Sequence, residues 1–331
     1  MGYIFHQEPI KYLNSINAGN FNDIALELFM HQYEHNDIYG SFVRALGVAP
    51  ATVADITAIP FMPVSFFKTH KVITGEVADN ALVFSSSTTT SDIPGRHYVK
   101  DSVLYDQSLI RGFREFYGAP EEYAILALLP SYLQREGASL VYMAEQLMKA
   151  SGNKANGFYL DEHEQLYNLL QQLEADGQPT ILIGVTFALL DFAEVYRMQL
   201  KNVYVMETGG MKGRRKEMTR EEVHNILMDR LGVRSVHSEY GMTELLSQAY
   251  ATKNGLFRAS GTMKVLVRDM NDPLEVKRKG SGCLDIIDLA NVYSCAFIAT
   301  DDMGRIYEDG SFEVLGRLDH SALRGCNLMV L

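Results

Sequence analysis

The chain has 331 residues, of which 47% are hydrophobic and 21% are charged, a composition typical of globular proteins with a sizeable core. Its formal net charge of -11 disfavours nucleic acid and anionic membrane surfaces as partners, because both repel an acidic protein. No apolar run approaches the roughly 18 residues of a membrane span, and the first residues lack a signal-peptide pattern. We therefore expect a cytoplasmic protein without a membrane span.

The middle of the chain alternates short apolar runs with amphipathic stretches, a pattern typical of βα units that feed a mainly parallel sheet. Strands are predicted at 124–130, 180–185, 202–207 and 234–238, and helices at about 137–150, 162–175, 186–200 and 220–231. Thr219 and Glu222 form the sequence pattern of a capping box, which predicts the start of the last of these helices. The order of the elements indicates a doubly wound α/β fold.

From about Arg258 onward the sequence changes to short strands without long helices. Asp309 and Gly310 lie between two alternating stretches, the pattern that most strongly predicts a β-hairpin. We therefore predict an α/β core with an N-terminal helical segment over 1–257 and a β-rich subdomain over 258–331.

A run of seven consecutive hydroxyl residues, 85–91, follows the predicted apolar stretch 81–84 and precedes Arg96 and His97. Hydroxyl groups in a loop after a strand can donate hydrogen bonds to phosphate oxygens, and Arg96 adds charged donors. A polar loop or an edge hairpin explains the composition equally well. His97 and His320 are possible bases, although a lone histidine is more often structural.

Gly209 and Gly210 directly follow a predicted strand, where a glycine pair lets the backbone approach a planar ligand or a phosphate. Four cations follow within a few residues: Lys212, Arg214, Arg215 and Lys216. For the individual cations, a solvated basic loop is the simpler interpretation.

The segment YGMTE, 240–244, follows the predicted strand 234–238, and ligands of α/β sheets collect at the carboxyl ends of strands. Tyr240 offers an aromatic face for a base, Gly241 permits a tight turn, Thr243 offers a hydroxyl, and Glu244 offers a carboxylate suited to Mg²⁺. Further along, Asp302 can accept hydrogen bonds from a ribose.

Arg317 can contact a phosphate or a ribose, although Asp302 and Arg317 are equally compatible with a charge pair in a hairpin. The three cysteines, Cys283, Cys295 and Cys326, lack CxxC spacing, which argues against a disulfide framework and a zinc site. Cys283 and Cys295 lie in apolar strands, whereas Cys326 follows Arg324, whose charge favours a thiolate.

The order of these motifs resembles that of the adenylate-forming superfamily, and most closely that of the acyl-protein synthetase family. YGMTE and GRLD are similar to signatures of the superfamily, and ETGGMKGR and RGC are similar to segments of the family. The segments 59–72 and 128–143 are also similar, so the resemblance covers nearly the whole chain. It implies layered αβα sheets with a β-rich C-terminal subdomain, without the small lysine-bearing C-terminal domain of the wider superfamily.

The resemblance also implies a role for each site residue. Tyr240 would flank the adenine, Thr243 would contact the phosphate, and Glu244 would bind magnesium, with Gly241 counted among the cofactor-binding residues. Asp302 would hold the ribose and Arg317 the adenylate. The residues implied to bind the rest of ATP are Ser86, Ser87, Thr89, Thr90, Gly209 and Gly210.

The implied reaction joins a carboxylic acid, here a fatty acid, to ATP with Mg²⁺, forms an acyl-adenylate, and transfers the acyl group to Cys326. The implied partners are an acyl reductase, a transferase or a carrier protein. Transfer to coenzyme A or to a carrier protein is an alternative. A lapsed nucleotide-binding or assembly subunit is a third hypothesis, because Thr88 and Ser91 replace loop glycines at a cost of about 1 kcal/mol or more each.

Overall fold

The structure is a computed structural model that describes residue 5 and residues 8–76, 81–86, 93–130, 137–209, 218–270 and 272–318. Its α-helices are α1 (Pro9–Ser15), α2 (Phe21–His35), α3 (Asp37–Ala45), α4 (Phe66–Thr69), α5 (Ser102–Tyr117), α6 (Ser139–Ser151), α7 (His163–Ala175), α8 (Thr186–Val195) and α9 (Arg220–Leu231). Short 3₁₀ helices span Pro50–Thr52, Ile56–Ala58 and Pro120–Glu122. Within the described residues, no helix is both long enough and apolar enough to cross a membrane.

The strands form two large sheets and one hairpin. They are β1 (Met62–Pro63), β2 (Leu82–Ser85), β3 (Arg96–Val99), β4 (Ala124–Leu128), β5 (Gly157–Tyr159), β6 (Thr180–Val185), β7 (Val203–Thr208), β8 (Val236–Tyr240), β9 (Ala249–Ala251), β10 (Arg258–Ala259), β11 (Met263–Arg268), β12 (Val276–Lys277), β13 (Gly280–Asp288), β14 (Phe297–Ile306) and β15 (Phe312–Arg317).

The seven-stranded sheet has the order β10-β9-β8-β7-β6-β4-β5. Strands β5, β4, β6, β7 and β8 are parallel to one another, and β9 and β10 extend the sheet in antiparallel pairing. The four predicted strands match β4, β6, β7 and β8, so the predicted parallel sheet is confirmed. Apolar residues of α7, α8 and α9 pack on one face of this sheet, and the opposite face joins a second core shared with α5.

The six-stranded sheet contains the C-terminal strands β11 to β15 together with β1, which pairs in parallel with β14. The N-terminal helices are joined to this sheet by buried side chains. The Tyr12 hydroxyl donates to the carbonyl of Leu289 at 2.8 Å, and the Gln32 amide donates to the carbonyl of Asn291 at 2.9 Å. The C-terminal part of the chain is thus rich in β-strands, as predicted. The division into domains at 1–257 and 258–331 stays a prediction.

Two local features follow from sequence signals. Thr219 and Glu222 form a complete capping box at the start of α9. Gly310 lies in the turn between β14 and β15 with a φ of 78°, a left-handed backbone conformation that favours glycine. Both the predicted helix start and the predicted hairpin are confirmed.

The helix predicted over 186–200 is shorter in the structure, because α8 ends at Val195. The backbone N–H groups of Met198 and Leu200 instead donate to the carbonyls of Arg230 and Leu231, each at 2.9 Å. These carbonyls lie at the C-terminal end of α9, where a helix leaves its last carbonyls without partners. Tertiary hydrogen bonding therefore overrides the local helical pattern.

Candidate active site

The turn at residues 241–248 connects β8 to β9 and carries Thr243 and Glu244. It begins at Gly241, where a methyl group would stand 2.5 Å from the Glu239 Oε1 atom. Such a distance is far below van der Waals contact, so only glycine fits there without displacing Glu239. The glycine of YGMTE therefore allows the Glu239 side chain to approach the backbone closely at the carboxyl end of a parallel strand.

Gly95, which is hydrogen-bonded to Ser86 at the start of the predicted hydroxyl loop, lies beside Glu244. Ser86 N donates to the Gly95 carbonyl at 2.9 Å, and Gly95 N donates to Ser86 Oγ at 2.8 Å, which closes the base of the loop. A methyl group on Gly95 would stand 2.9 Å from Glu244 Oε1 and 3.1 Å from Ser86 Oγ. The fold therefore brings the start of the predicted phosphate loop to the predicted metal ligand. Ser87, Thr89 and Thr90 lie outside the described residues.

Glu244 is buried, with 5% of its surface exposed. Burial raises the pKa of its carboxyl to about 7, an effect to which Asp302 adds and which Arg317 and Lys68 oppose. It forms no ion pair with the residues that the structure describes. A buried carboxyl without a bonded cation is suited to receive one, and Mg²⁺ would take its remaining ligands from phosphates and water.

A pair of buried side chains fixes the backbone at Thr243 and Glu244. His97 Nδ1 donates to the Thr243 carbonyl at 2.9 Å, and Asn291 Nδ2 donates to the Glu244 carbonyl at 2.8 Å. His97 Nε2 lies 3.1 Å from Asn291 Oδ1, so the two side chains also contact each other. Burial lowers the pKa of His97 to about 4. His97 therefore holds the turn in place, in agreement with the structural interpretation of a lone histidine.

Asp288, at the end of β13, positions the second half of the turn, and sequence reasoning missed it. Its carboxylate accepts hydrogen bonds from Leu246 N at 2.6 Å, from Ser247 N at 3.1 Å and from Ser247 Oγ at 2.6 Å. Ala290 N donates a fourth, at 3.1 Å. The available signal was an aspartate inside the apolar segment CLDIIDLA, since buried carboxylates require partners.

The YGMTE segment contacts Asp302, and through it Arg317, by way of Tyr240. Its hydroxyl donates to Asp302 Oδ2 at 2.8 Å, and Asp302 pairs across the strands with Arg317, whose Nε lies 3.9 Å from Asp302 Oδ1. The Tyr240 ring packs edge-on against Phe257 and Phe312, with centroid distances of 6.0 and 5.9 Å. Burial, more than any charge, raises the pKa of Asp302. The residues implied to hold adenine, ribose and adenylate thus form one connected group.

Gly209 follows β7 with a φ of 74°, a conformation that favours glycine. Its carbonyl accepts a hydrogen bond from Thr186 Oγ1 at 2.8 Å, and the same hydroxyl lies 3.0 Å from Glu207 Oε2. The Arg220 Nε atom lies 3.2 Å from Glu207 Oε1, so this buried carboxylate has a cation. Gly210 and the four cations after it lie outside the described residues.

Two of the three cysteines are unsuited to attack an electrophile. Cys283 is 2% exposed and Cys295 is fully buried, and burial raises the pKa of both thiols, that of Cys295 to about 12. A thiol with a raised pKa is seldom a thiolate near neutral pH. Cys326 lies outside the described residues.

Residues 2–331 match the family model described as "Acyl-protein synthetase, LuxE". The chain belongs to this family. The match agrees with the predicted enzyme class, an ATP-dependent ligase of carboxylic acids. A search of curated proteins found no match.

Solved structures of adenylate-forming enzymes share the fold of this chain. ATP-bound MatB from Rhodopseudomonas palustris is 15% identical with a TM-score of 0.54, over 73% of this chain and 49% of its own. A 2-hydroxyisobutyryl-CoA ligase is 13% identical with a TM-score of 0.68, over 90% and 74%.

A long-chain-fatty-acid-CoA ligase from Archaeoglobus fulgidus is 15% identical with a TM-score of 0.53, over 76% of this chain and 54% of its own. The predicted fold class, an adenylate-forming α/β fold, is therefore confirmed. This chain spans about half the length of the MatB structure.

Proposed function

We propose that this acyl-protein synthetase uses ATP and Mg²⁺ to adenylate a carboxylic, in particular fatty, acid and transfers the acyl group to its own Cys326. The observation that carries the proposal is the meeting of the hydroxyl-loop base, Ser86 and Gly95, with the buried Glu244. This arrangement supports the proposal, because a hydroxyl group and a carboxylate without a bonded cation near the carboxyl end of the parallel strands are suited to bind phosphate and Mg²⁺.

In the first step, a carboxylate oxygen of the acid attacks the α-phosphorus of ATP, and pyrophosphate leaves. Ser86 and the hydroxyls after it, Ser87, Thr89 and Thr90, would donate hydrogen bonds to phosphate oxygens, and Thr243 would contact the transferred phosphate. Glu244 would hold Mg²⁺, which neutralises charge on the departing pyrophosphate.

The nucleoside would lie on the opposite side of the same turn. Asp302 accepts a hydrogen bond from the Tyr240 hydroxyl, and its other oxygen is available to accept from a ribose hydroxyl. Arg317, whose side chain is 66% exposed, would contact the adenylate phosphate. Gly209, Gly210 and Gly241 would let the backbone approach the adenine.

In the second step, the thiolate of Cys326 attacks the carbonyl carbon of the acyl-adenylate, AMP leaves with the bonding electron pair, and a thioester forms. The burial and raised pKa of Cys283 and Cys295 support Cys326 as the acceptor. An acyl reductase, a transferase or a carrier protein would then take the acyl group from the thioester.

The test is incubation with ATP, Mg²⁺ and a panel of carboxylic acids, followed by mass spectrometry of the peptide that contains Cys326. We expect a hydroxylamine-labile acyl adduct on that peptide and acid-dependent ATP–pyrophosphate exchange. Cys326→Ala should abolish the adduct and keep the exchange, whereas the matched variant Cys283→Ala should keep both.

Each alternative outcome identifies a different function. Product formation with coenzyme A or a carrier protein by Cys326→Ala would exclude the cysteine as an obligatory relay. ATP binding without pyrophosphate exchange for any acid of the panel would support the hypothesis of a lapsed nucleotide-binding subunit. Absence of both adduct and exchange overturns the proposal.

A further inference from the structure

Three polar side chains lie together on the face of the seven-stranded sheet that packs against α5. Glu239 in β8 pairs across the strands with Tyr250 in β9, and both therefore point to the same face. Glu239 Oε1 and Gln248 Cγ lie 2.5 and 3.6 Å from the position that a methyl group on Gly241 would occupy. We name Glu239, Gln248 and Tyr250 the acceptor cluster.

The acceptor cluster is deeply buried. The exposed fractions of Glu239, Gln248 and Tyr250 are 8%, 4% and 1%. The rings of Phe116 and Tyr117 in α5 cover it, with centroids 5.1 and 5.5 Å from that of Tyr250. Polar side chains buried this far from solvent require internal partners.

Those partners are incomplete among the described residues. Gln248 Oε1 and the Tyr250 hydroxyl have no hydrogen-bond partner. Glu239 accepts one hydrogen bond, from Thr208 Oγ1 at 2.6 Å, and forms no ion pair with a described residue. Each unpartnered buried polar atom carries a desolvation cost. Glu239 differs in this respect from the neighbouring buried carboxylate Glu207, which forms an ion pair with Arg220.

The chemistry of the acceptor cluster defines what would complete it. A glutamine carbonyl oxygen only accepts hydrogen bonds, and a carboxylate does the same when ionised. The Tyr250 hydroxyl can either accept or donate, so a group that donates hydrogen bonds, as a hydroxyl or an amino group does, matches all three side chains. An unsubstituted alkyl chain would leave Gln248 Oε1 and the Tyr250 hydroxyl without a hydrogen-bond partner.

The position of the acceptor cluster connects it to the proposed reaction. Gly241 and Gln248 are the first and last residues of the turn that carries Thr243 and Glu244. A molecule whose carboxylate reacts at this turn can therefore place a nearby substituent against the base of the turn.

We propose that the acid activated by this chain carries a hydroxyl or amino group near its carboxyl end, and that the acceptor cluster binds this group. The inference rests on the proposed function and names its substrate class. A site built to hydrogen-bond such a group discriminates strongly against the analogue that lacks it, because the analogue leaves buried polar atoms unpaired.

The experiment compares acids of equal chain length that carry hydrogen, hydroxyl or amino at the α or the β carbon, with ATP–pyrophosphate exchange as the measurement. We expect kcat/KM for a hydroxyl or amino acid to exceed that for the unsubstituted acid at least about tenfold. The two substituted series distinguish the hydroxyl from the amino group as the natural donor.

Tyr250→Phe removes only an unpaired hydroxyl, so the variant should fold as stably as the parent while the preference falls at least about threefold. Gln248→Leu should lower it further. Tyr123→Phe is the matched control, because its hydroxyl donates to the Tyr117 carbonyl at 2.8 Å and lies outside the acceptor cluster. The control should keep the preference.

Equal or faster exchange with the unsubstituted acid overturns the inference and leaves the proposed function standing; the acceptor cluster then binds water only. Unchanged preference in both Tyr250→Phe and Gln248→Leu also overturns it. If no acid supports exchange, the proposed function fails, and calorimetric binding of the hydroxy and amino acids to the chain decides the inference separately. No binding, or binding unaltered by Tyr250→Phe, overturns it as well.

Discussion

Two buried carboxylates, one within the turn at 241–248 and one packed against it, have different surroundings. Asp288, below the second half of the turn, accepts four hydrogen bonds from backbone and hydroxyl donors. Glu244, on the first half, faces the base of the hydroxyl loop and has no ion pair within the described part of the chain. A saturated carboxylate fixes structure, whereas one left without a cation is available to bind one.

The largest expected effect comes from Asp288→Asn. The amide cannot accept all four hydrogen bonds, so buried donors of the turn lose their partner. We expect the free energy of unfolding to fall by about 3 kcal/mol or more, measured by urea denaturation.

The matched control is Asp285→Asn in the same strand, where the carboxylate is bonded to Arg268 at 2.5 Å instead of to residues of the turn. Both variants should lose stability, but only Asp288→Asn should also lower exchange per folded molecule. Equal exchange in the two variants would contradict the positioning role of Asp288.

Glu244→Gln should have the opposite profile, with little loss of stability and a large loss of activity. The neutral amide fits the buried position but cannot bind Mg²⁺ as a carboxylate does, so we expect exchange to fall about 100-fold or more. Exchange assays over a Mg²⁺ titration measure this effect. Glu115→Gln, a carboxylate on α5 that accepts from Gly261 N, is the control that should keep activity. Retention of full activity by Glu244→Gln would remove Glu244 from the metal site.

The pKa of Glu244 gives a pH test of the same contrast. Its pKa is about 7 in the folded chain against 4.5 for a glutamate exposed to water, so between these values the folded state binds more protons than the unfolded state. Stability contributed by this group is therefore full at low pH and is lost as pH rises toward 7.

Relative to the parent, Glu244→Gln should thus gain about 2 kcal/mol in free energy of unfolding between about pH 5 and pH 8, at about 1.4 kcal/mol per pKa unit. Urea denaturation without Mg²⁺ or ATP measures the difference. A constant difference across this range would show that the carboxyl does not titrate there.

The sequence predicted the elements with strong local signals. The strand at 180–185, the capping box at Thr219 and the hairpin at Gly310 all depend on residues close in sequence, and the structure confirms them. The shorter α8 and the role of Asp288 depend on partners far along the chain, such as Arg230 and Ser247. No pattern of period 2 or 3.6 encodes such contacts.

The candidate site shows the same division between local and long-range information. The motif residues 240–244 could be named from the sequence, because their types and their place after a strand indicate nucleotide chemistry. The structure was needed to show that the Tyr240 hydroxyl donates to Asp302 and that Ser86 and Glu244 both lie beside Gly95. No sequence motif marks the acceptor cluster, because what distinguishes it is buried polar atoms that have no hydrogen-bond partner in the fold.

The smallest expected effect is that of Tyr240→Phe, which removes the hydrogen bond to Asp302 and leaves the packed ring in place. Asp302 would then lose the donor that orients it, and we expect the KM for ATP to rise about threefold to tenfold with kcat nearly unchanged. Tyr307→Phe is the matched control, since its hydroxyl donates to Glu313 Oε2 at 2.7 Å beside the same hairpin. If both variants have the same KM for ATP as the parent, Asp302 does not need Tyr240 to bind the ribose, and the two motifs are joined for stability alone.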